Sequence, residues 1–229
     1  MAIVFSGVFT GKASSSNTNS YTGSGSVPVA GDLLICCVCA SDTVAAGTMS
    51  GTWTWNKLTS FTFNGGVDTV YIFYAYAESA TLTTPVFDCT GDNATGACIH
   101  GSKLTGAYGV KSPSLRQYKT ATGNTANPSI TLDYAPLSTN ALLGVAVNKT
   151  NSATQWTAPT SWFERAEVSH AGPTTSFSVA TRNSGETSST LSWTNASTSN
   201  WGLIVLEIWA DPMYKSIGGG QASSSPMFY

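Results

Sequence analysis

Two imidazoles, twelve carboxylates and five thiols make up the chain's inventory for acid–base, metal or nucleophilic chemistry. The imidazoles are His100 and His170. They fall at non-equivalent places, the first in an expected strand and the second in an expected loop. No Gly-x-Ser-x-Gly elbow in a strand–turn–helix setting accompanies them, so the many serines lack the context of an activated nucleophile. The acids are mostly single and close to turns: Asp32, Asp42, Asp68, Asp88, Asp92 and Asp133. Glu164 and Glu167 are near in sequence, but strand parity puts them on opposite faces, which does not suit a glycosidase pair. Asp88, Asp92 and Asn93 offer oxygen ligands of the kind Ca²⁺ takes, yet their spacing matches no EF loop, and turn capping is the expected role.

The thiols are Cys36, Cys37, Cys39, Cys89 and Cys98. Alternation places Cys37 and Cys39 on one face of a core strand and Cys36 on the other. Cys89 and Cys98 flank a loop short enough to be bridged. The odd count, and an N-terminus without a basic region followed by a long apolar run, argue for reduced thiols. No Cys/His cluster supports zinc. The expectation is a protein without enzymatic activity, catalytic residue, metal or cofactor.

These residues must be carried by strands. Two-residue periodicity or β-rich composition marks segments near 3–10, 32–40, 53–63, 67–77, 84–89, 97–105, 128–134, 141–148, 161–169, 174–182, 188–193 and 202–210. Turn signals such as Asn64-Gly65-Gly66 and Asn183-Ser184-Gly185 separate them. No window keeps a 3.6-residue period. The strands also recur. With Leu33 laid on Leu142, Trp55 meets Trp162, Tyr71-Ile72-Phe73 meets Phe177-Ser178-Val179, Phe87 to Thr90 meets Leu191 to Thr194, and Ile99 meets the run Leu203 to Ile208. The fold expected is all-β, a jelly-roll-like sandwich of 8–10 antiparallel strands built from two duplicated halves, about 27–105 and 135–210, within one unit spanning 1–210. Residues 211–229 form an extended arm. Strand 70–77 is apolar on both faces, so something must cover its second face, another subunit being one candidate.

Charged residues are only 10% of the chain, against about a quarter in typical domains, and net charge is −2. Serine and threonine make up more than a quarter of it. A neutral, hydroxyl-rich surface suits close contact with protein surfaces or sugars. The ten Lys and Arg are scattered, which leaves phosphate-backbone binding without an electrostatic basis. The longest apolar run, Leu33 to Ala40, is too short to span a bilayer as a helix. Neither nucleic acid nor membrane is an expected partner. Residues 11–26 and 211–229 are of low complexity. Tyr21 in the first, Tyr71 on the doubly apolar strand, and Tyr214, Met227, Phe228 and Tyr229 in the arm are the expected partner-binding anchors.

The pattern Gly31-Asp32-Leu33-Leu34-Ile35, then Trp53-Thr54-Trp55, then Tyr76-Ala77-Glu78-Ser79, resembles β-sandwich proteins of tailed-phage virions. A weaker second copy runs through Pro159-Thr160-Ser161-Trp162 to Trp201–Ile208, and the likeness spans roughly residues 25–210. The Trp53-Thr54-Trp55 stretch departs from the Pro-x-Gly-Trp form usual there. The resemblance implies a virion component assembled in the host cytoplasm. The expected role is a capsid decoration or cement protein that binds the major capsid protein or other virion proteins and self-associates, a trimer being one candidate, or else a tail or fibre component. Seven tryptophans keep a carbohydrate-binding module as the competing class.

Overall fold

Short β-rich runs broken by Gly, Asn and Pro turns fold here into eighteen strands and no α-helix among the described residues. The computed structural model describes residues 3–7, 11–41, 47–89, 94–105, 112–150, 156–172, 174–195 and 199–210. The first half contributes β1 (Val4–Gly7), β2 (Lys12–Ser14), β3 (Ser20–Thr22), β4 (Leu33–Ser41), β5 (Thr48–Ser50), β6 (Asn56–Phe63), β7 (Asp68–Tyr76), β8 (Val86–Asp88) and β9 (Gly96–Thr105). The second contributes β10 (Leu115–Gly123), β11 (Ser129–Thr131), β12 (Ala141–Asn148), β13 (Trp156–Thr157), β14 (Phe163–Ala171), β15 (Thr174–Arg182), β16 (Thr190–Ser192), β17 (Thr194–Asn195) and β18 (Trp201–Ile208).

The all-β antiparallel sandwich expected from the sequence is present. Its two main sheets hold six and five strands, more than the eight to ten expected in total. One runs β1-β9-β4-β7-β6, with β2 also on β9; the other runs β10-β18-β12-β15-β14. The orders correspond strand for strand. A bulge even recurs at the same place, between Lys57 and Thr59 on β6 and between Glu164 and Ala166 on β14.

Each main sheet comes from one half, and their inner faces share one core. Leu33, Ile35, Cys37, Cys39, Val70 and Ile72 meet Leu143, Val145, Val147, Phe177, Val179 and Leu206. Polar contacts tie the halves as well. Phe5 N–H donates to Asn183 Oδ1 at 3.0 Å, Arg165 donates to the Phe5 carbonyl at 2.7 Å, and Lys149 pairs with buried Asp68 at 3.3 Å.

The outer face of each main sheet has its own cover. Strands β3-β8-β5 lie over the first, and the pairs β11-β16 and β13-β17 over the second. This corrects the expectation for strand 70–77. Its second face, Tyr71 and Phe73, packs on Phe87 with ring centroids 5.3 and 6.3 Å away, beside Tyr21 and Met49. Folding covers that face from within the chain, since each buried aromatic is worth about 1.5–3 kcal/mol, so it gives no ground for a second subunit there. The arm 211–229 lies outside the described residues.

The register sharpens the repeat. Anchored on the shared bulge, Ile72 corresponds to Val179 and Phe73 to Ala180. The ladders then place Cys37 opposite Val145 in the repeat and Leu34 opposite Leu142. The match of Leu33 to Leu142, and that of Ile72 to Ser178, are each one residue out. A one-residue slip exchanges the two faces of a strand.

Candidate functional site

At one end of the first half two segments face each other across a cleft. After β5 the chain turns at Gly51 (φ 142°), where a Cβ would stand 2.9 Å from the Thr84 carbonyl. Only glycine lets the loop lie this close to that segment. Thr52 Oγ1 donates to the Leu82 carbonyl at 2.9 Å and fixes the loop further. Trp55 then packs against the outer core, and β6 begins. The facing wall is the end of β7. Gly31 N–H donates to the Ala77 carbonyl at 2.8 Å and Ala77 N–H to the Asp32 carbonyl at 2.9 Å. The Asp32 carboxylate accepts from Val29 N–H at 2.7 Å and pairs with Lys103 at 3.3 Å. The Gly31-Asp32 motif thus acts as a clamp that fixes Tyr76 and the residues after it.

Thr52, Trp53, Thr54, Asn56, Tyr76 and Glu78 line this cleft, whose volume is about 320 Å³. Trp53 and Tyr76 are half-buried, and Thr52, Thr54, Asn56 and Glu78 are exposed. Trp53 Nε1 is buried without a hydrogen-bond partner although the residue is only half-buried, so Trp53 offers the cleft ring surface and not its N–H. Two aromatic rings, one carboxylate, one amide and two hydroxyls converge on a space at the small end of the about 300–1,000 Å³ range of ligand sites.

At the equivalent end of the second half the indole and a carboxylate are bonded to each other. Trp162, which corresponds to Trp55, donates from Nε1 to Glu186 at 2.9 Å and meets Trp193 edge-on at 5.5 Å. Glu186 also accepts from Arg182 at 3.1 Å and from the N–H groups of Thr187 and Ser188, both at 3.0 Å. Burial raises its pKa, but these donors outweigh burial and hold it below the ordinary glutamate value. By the same register, Thr160 stands where the first half has Trp53, Phe163 where it has Asn56, and Asn183 where it has Tyr76.

A second groove of about 330 Å³ lies between the halves, lined by Asn64, Gly65, Thr122, Gly123, Asn124, Asn200 and Trp201. Two of its amides are engaged, one bond crossing between the halves and one within the first. Asn200 donates to Asn64 Oδ1 at 2.7 Å, and Asn64 donates to Asp68 at 2.8 Å.

The residues singled out from sequence are not gathered in one place. Tyr21 and Tyr71, expected as partner anchors, are buried in the outer core of the first half. The Tyr21 hydroxyl lies against the carbonyls of Ser16 and Ala94. Tyr21 packs from the cover strand β3 onto Tyr71 of the main sheet, within one buried cluster. Tyr214, Met227, Phe228 and Tyr229 lie outside the described residues, as do Asp42, Asp92 and Asn93. Asp88 accepts from Ser50 at 2.9 Å.

His100 is buried on β9, 3.2 Å from Ser102 Oγ, and burial, then the nearby Arg165 charge, pushes its pKa down to about 4. His170 is in strand β14, not in a loop, and its ring sits where Gly96 leaves room for it. Glu164 and Glu167 share a face after all: the bulge inserts one residue between them, so they pair with Ala180 and Ser178. The Glu167 carboxylate accepts from Trp156 N–H at 2.8 Å. Cys37 and Cys39 face the shared core and Cys36 the outer one, as alternation required. Cys98 and Cys89 form no disulfide and belong to different cores. Among the described residues, no three of His, Cys, Asp and Glu are grouped to hold a metal ion.

The cleft was missed from sequence. Its one signal was Trp53, an aromatic the repeat does not copy. No protein-family model, curated protein or solved structure matches the chain.

Proposed function

We propose that the chain is a non-enzymatic structural protein of a tailed-phage particle, a decoration or cement protein whose partner is the shell. One structural observation supports an adhesive role above others. Both outer covers turn hydroxyls outward: Ser20, Thr22, Thr48 and Ser50 on one, Ser129, Thr131, Thr190 and Ser192 on the other, each pair flanking a buried apolar residue. Such faces are short in side chain and carry little charge, Asp88 on the central strand of the first cover being held by Ser50 at 2.9 Å. They lose little rotamer entropy on contact and bring little charge to desolvate.

The body behind them is rigid, because both main sheets are buried on both faces along β4, β12 and β18. The virion setting itself rests on the motif resemblance over roughly residues 25–210, since a fold alone carries no function. The mechanism is adhesion: a stiff double sandwich lays a hydroxyl face on neighbouring shell subunits. A tail or fibre position would use the same faces.

Cosedimentation of the purified full chain with particles assembled without it provides the test. Saturable binding near stoichiometric occupancy, abolished by Thr22→Lys with Ser50→Lys or by Thr131→Lys with Thr190→Lys, is the expected result. A chain that stays in the supernatant overturns the proposal.

A further inference from the structure

We infer that the cleft between the Thr52–Asn56 loop and the Tyr76–Glu78 strand end is a binding site for a neutral saccharide of one or two rings. This rests on the cleft alone and holds wherever the protein resides.

The argument begins with what the repeat does not require. Trp55 and Trp162 hold equivalent positions and both pack on an outer core, so a tryptophan there is part of the scaffold. Trp53 has no such role. Its counterpart is Thr160, and the second half packs its outer core without an indole at that position. Tyr76 and Asn56 are likewise unshared, standing opposite Asn183 and Phe163. The first half therefore carries two aromatic rings and an amide that the second half does not share, and all three line one cleft.

The chemistry of the lining narrows the ligand. A pyranose has an apolar C–H face and a rim of hydroxyls. Aromatic rings bury such faces while hydrogen bonding continues at the edge. Trp53 offers ring surface, since its Nε1 is buried. The Glu78 carboxylate accepts from sugar hydroxyls, and charge assistance makes such bonds about twice as strong as neutral ones. Asn56 can both donate and accept, as can Thr52 and Thr54, although the Thr52 hydroxyl proton is already given to Leu82.

Among the described residues, no cation lines the cleft. A sulfated or carboxylated sugar would face Glu78 without compensation, so the site discriminates against acidic glycans. In the second half, by contrast, the carboxylate of Glu186 is consumed by Arg182, Trp162 and two backbone donors.

The test is titration of intrinsic tryptophan fluorescence and of isothermal heat on the full chain. The probes are glucose, galactose, mannose and N-acetylglucosamine, their β1→4 and α1→4 dimers, and glucuronate as the acidic control. Saturable binding of at least one neutral sugar is expected, weakened at least tenfold by Trp53→Thr and several-fold by Glu78→Gln, with glucuronate inert. Trp53→Thr installs the residue the second half already carries, and Glu78→Gln changes an exposed side chain, so unaltered unfolding temperatures separate lost binding from lost folding. Phe163→Ala, an exposed ring elsewhere, leaves binding unchanged. Absence of binding across the panel up to tens of millimolar overturns the inference, as does binding that survives both cleft substitutions.

Discussion

Gly144 lies in the middle of β12, and a methyl group there has nowhere to go. A Cβ at this position would stand 2.5 Å from Trp193 Cζ2, 2.8 Å from Trp193 Cη2 and 3.2 Å from Trp162 Cζ3. Trp193 is fully buried. Its ring is held edge-on against Trp162, which is itself fixed by Glu186. The backbone cannot yield either, because β12 is bonded on both sides, to β18 and β15. Overpacking a core of this kind costs about 1–3 kcal/mol, and the rigid neighbours place Gly144→Ala at the upper end. Alanine returns about 0.5–1 kcal/mol through its lower backbone entropy in the unfolded chain. The net loss is about 2 kcal/mol, which for a chain of this length lowers Tm by about 4–8 °C. Calorimetry with near-ultraviolet circular dichroism reads both the shift and the disturbed indoles. The mechanism also demands coupling. In a double-mutant cycle, Trp193→Phe removes the clashing ring atoms, so the double variant is more stable than the sum of the singles by about 1 kcal/mol. An unchanged or raised Tm for Gly144→Ala, or strict additivity with Trp193→Phe, would refute the packing argument.

Two buried groups set the acid limit of stability. His100 is neutral in the folded protein with a pKa near 4, against an ordinary value of 6.5. The unfolded chain therefore takes up the proton first, and stability falls as pH drops from about 6.5 towards 4; His100→Gln flattens that part of a pH series of chemical denaturation curves. Glu207 is fully buried. Burial raises its pKa, but donors from Gln117, Leu137 N–H, Asn140 and Arg116 hold it below the ordinary value. Its contribution is present above about pH 4.5 and lost as pH falls through the depressed folded value, so Glu207→Leu, which strands those donors, costs about 3–5 kcal/mol at pH 7 and leaves a smaller difference from the parent at pH 3. The five thiols are buried, and burial raises the pKa of Cys36, Cys37, Cys39 and Cys98; a thiol reagent should label none of the five in the native protein within minutes and all five in denaturant. Deleting residues 212–229 should lower retention on particles without changing Tm if the arm tethers the shell, and equal retention removes that role.

The strands and their antiparallel pairing were legible because burial writes a two-residue period into the chain. Register was not legible in β4, β7, β12 and β15. In β4, β7 and β12 both faces are largely apolar, so a one-residue slip leaves the pattern of apolar residues almost unchanged, and β15 is matched through its pairing with β12. Only the ladders, tied to the bulge at Leu58 and Arg165, decide which of Leu33 and Leu34 matches Leu142. The same bulge reverses the parity argument for Glu164 and Glu167, because an inserted residue is invisible to a rule that assumes regular alternation. Covering of the doubly apolar strand was misjudged for a related reason. Strands β3, β5 and β8 are three residues each, too short to register as a layer, yet together they place Tyr21, Met49 and Phe87 over Tyr71 and Phe73.

A duplicated scaffold separates structural residues from acquired ones without an alignment of relatives. A position whose residue type recurs in both halves under equivalent packing is explained by the fold; a position that differs, yet is not needed to fill space, must be explained otherwise. Trp55 and Trp162 meet the first condition. Trp53, Asn56 and Tyr76 meet the second, since Thr160, Phe163 and Asn183 occupy the same register and the second half folds with them. The converse exchange is also informative. Asn183 accepts from Phe5 N–H, which ties the second half to the first, whereas Tyr76 has the Gly31 position about 4.0 Å from its hydroxyl and lines an open cleft. The second half has spent this end of the sheet on holding its sibling, and the first half has left it open. Exchanging Tyr76 for Asn should therefore leave Tm within about 2 °C, while Asn183→Tyr removes an acceptor from the Phe5 N–H and costs about 1–3 kcal/mol. Equal losses from the two substitutions would show that both ends are structural and that the asymmetry carries no function.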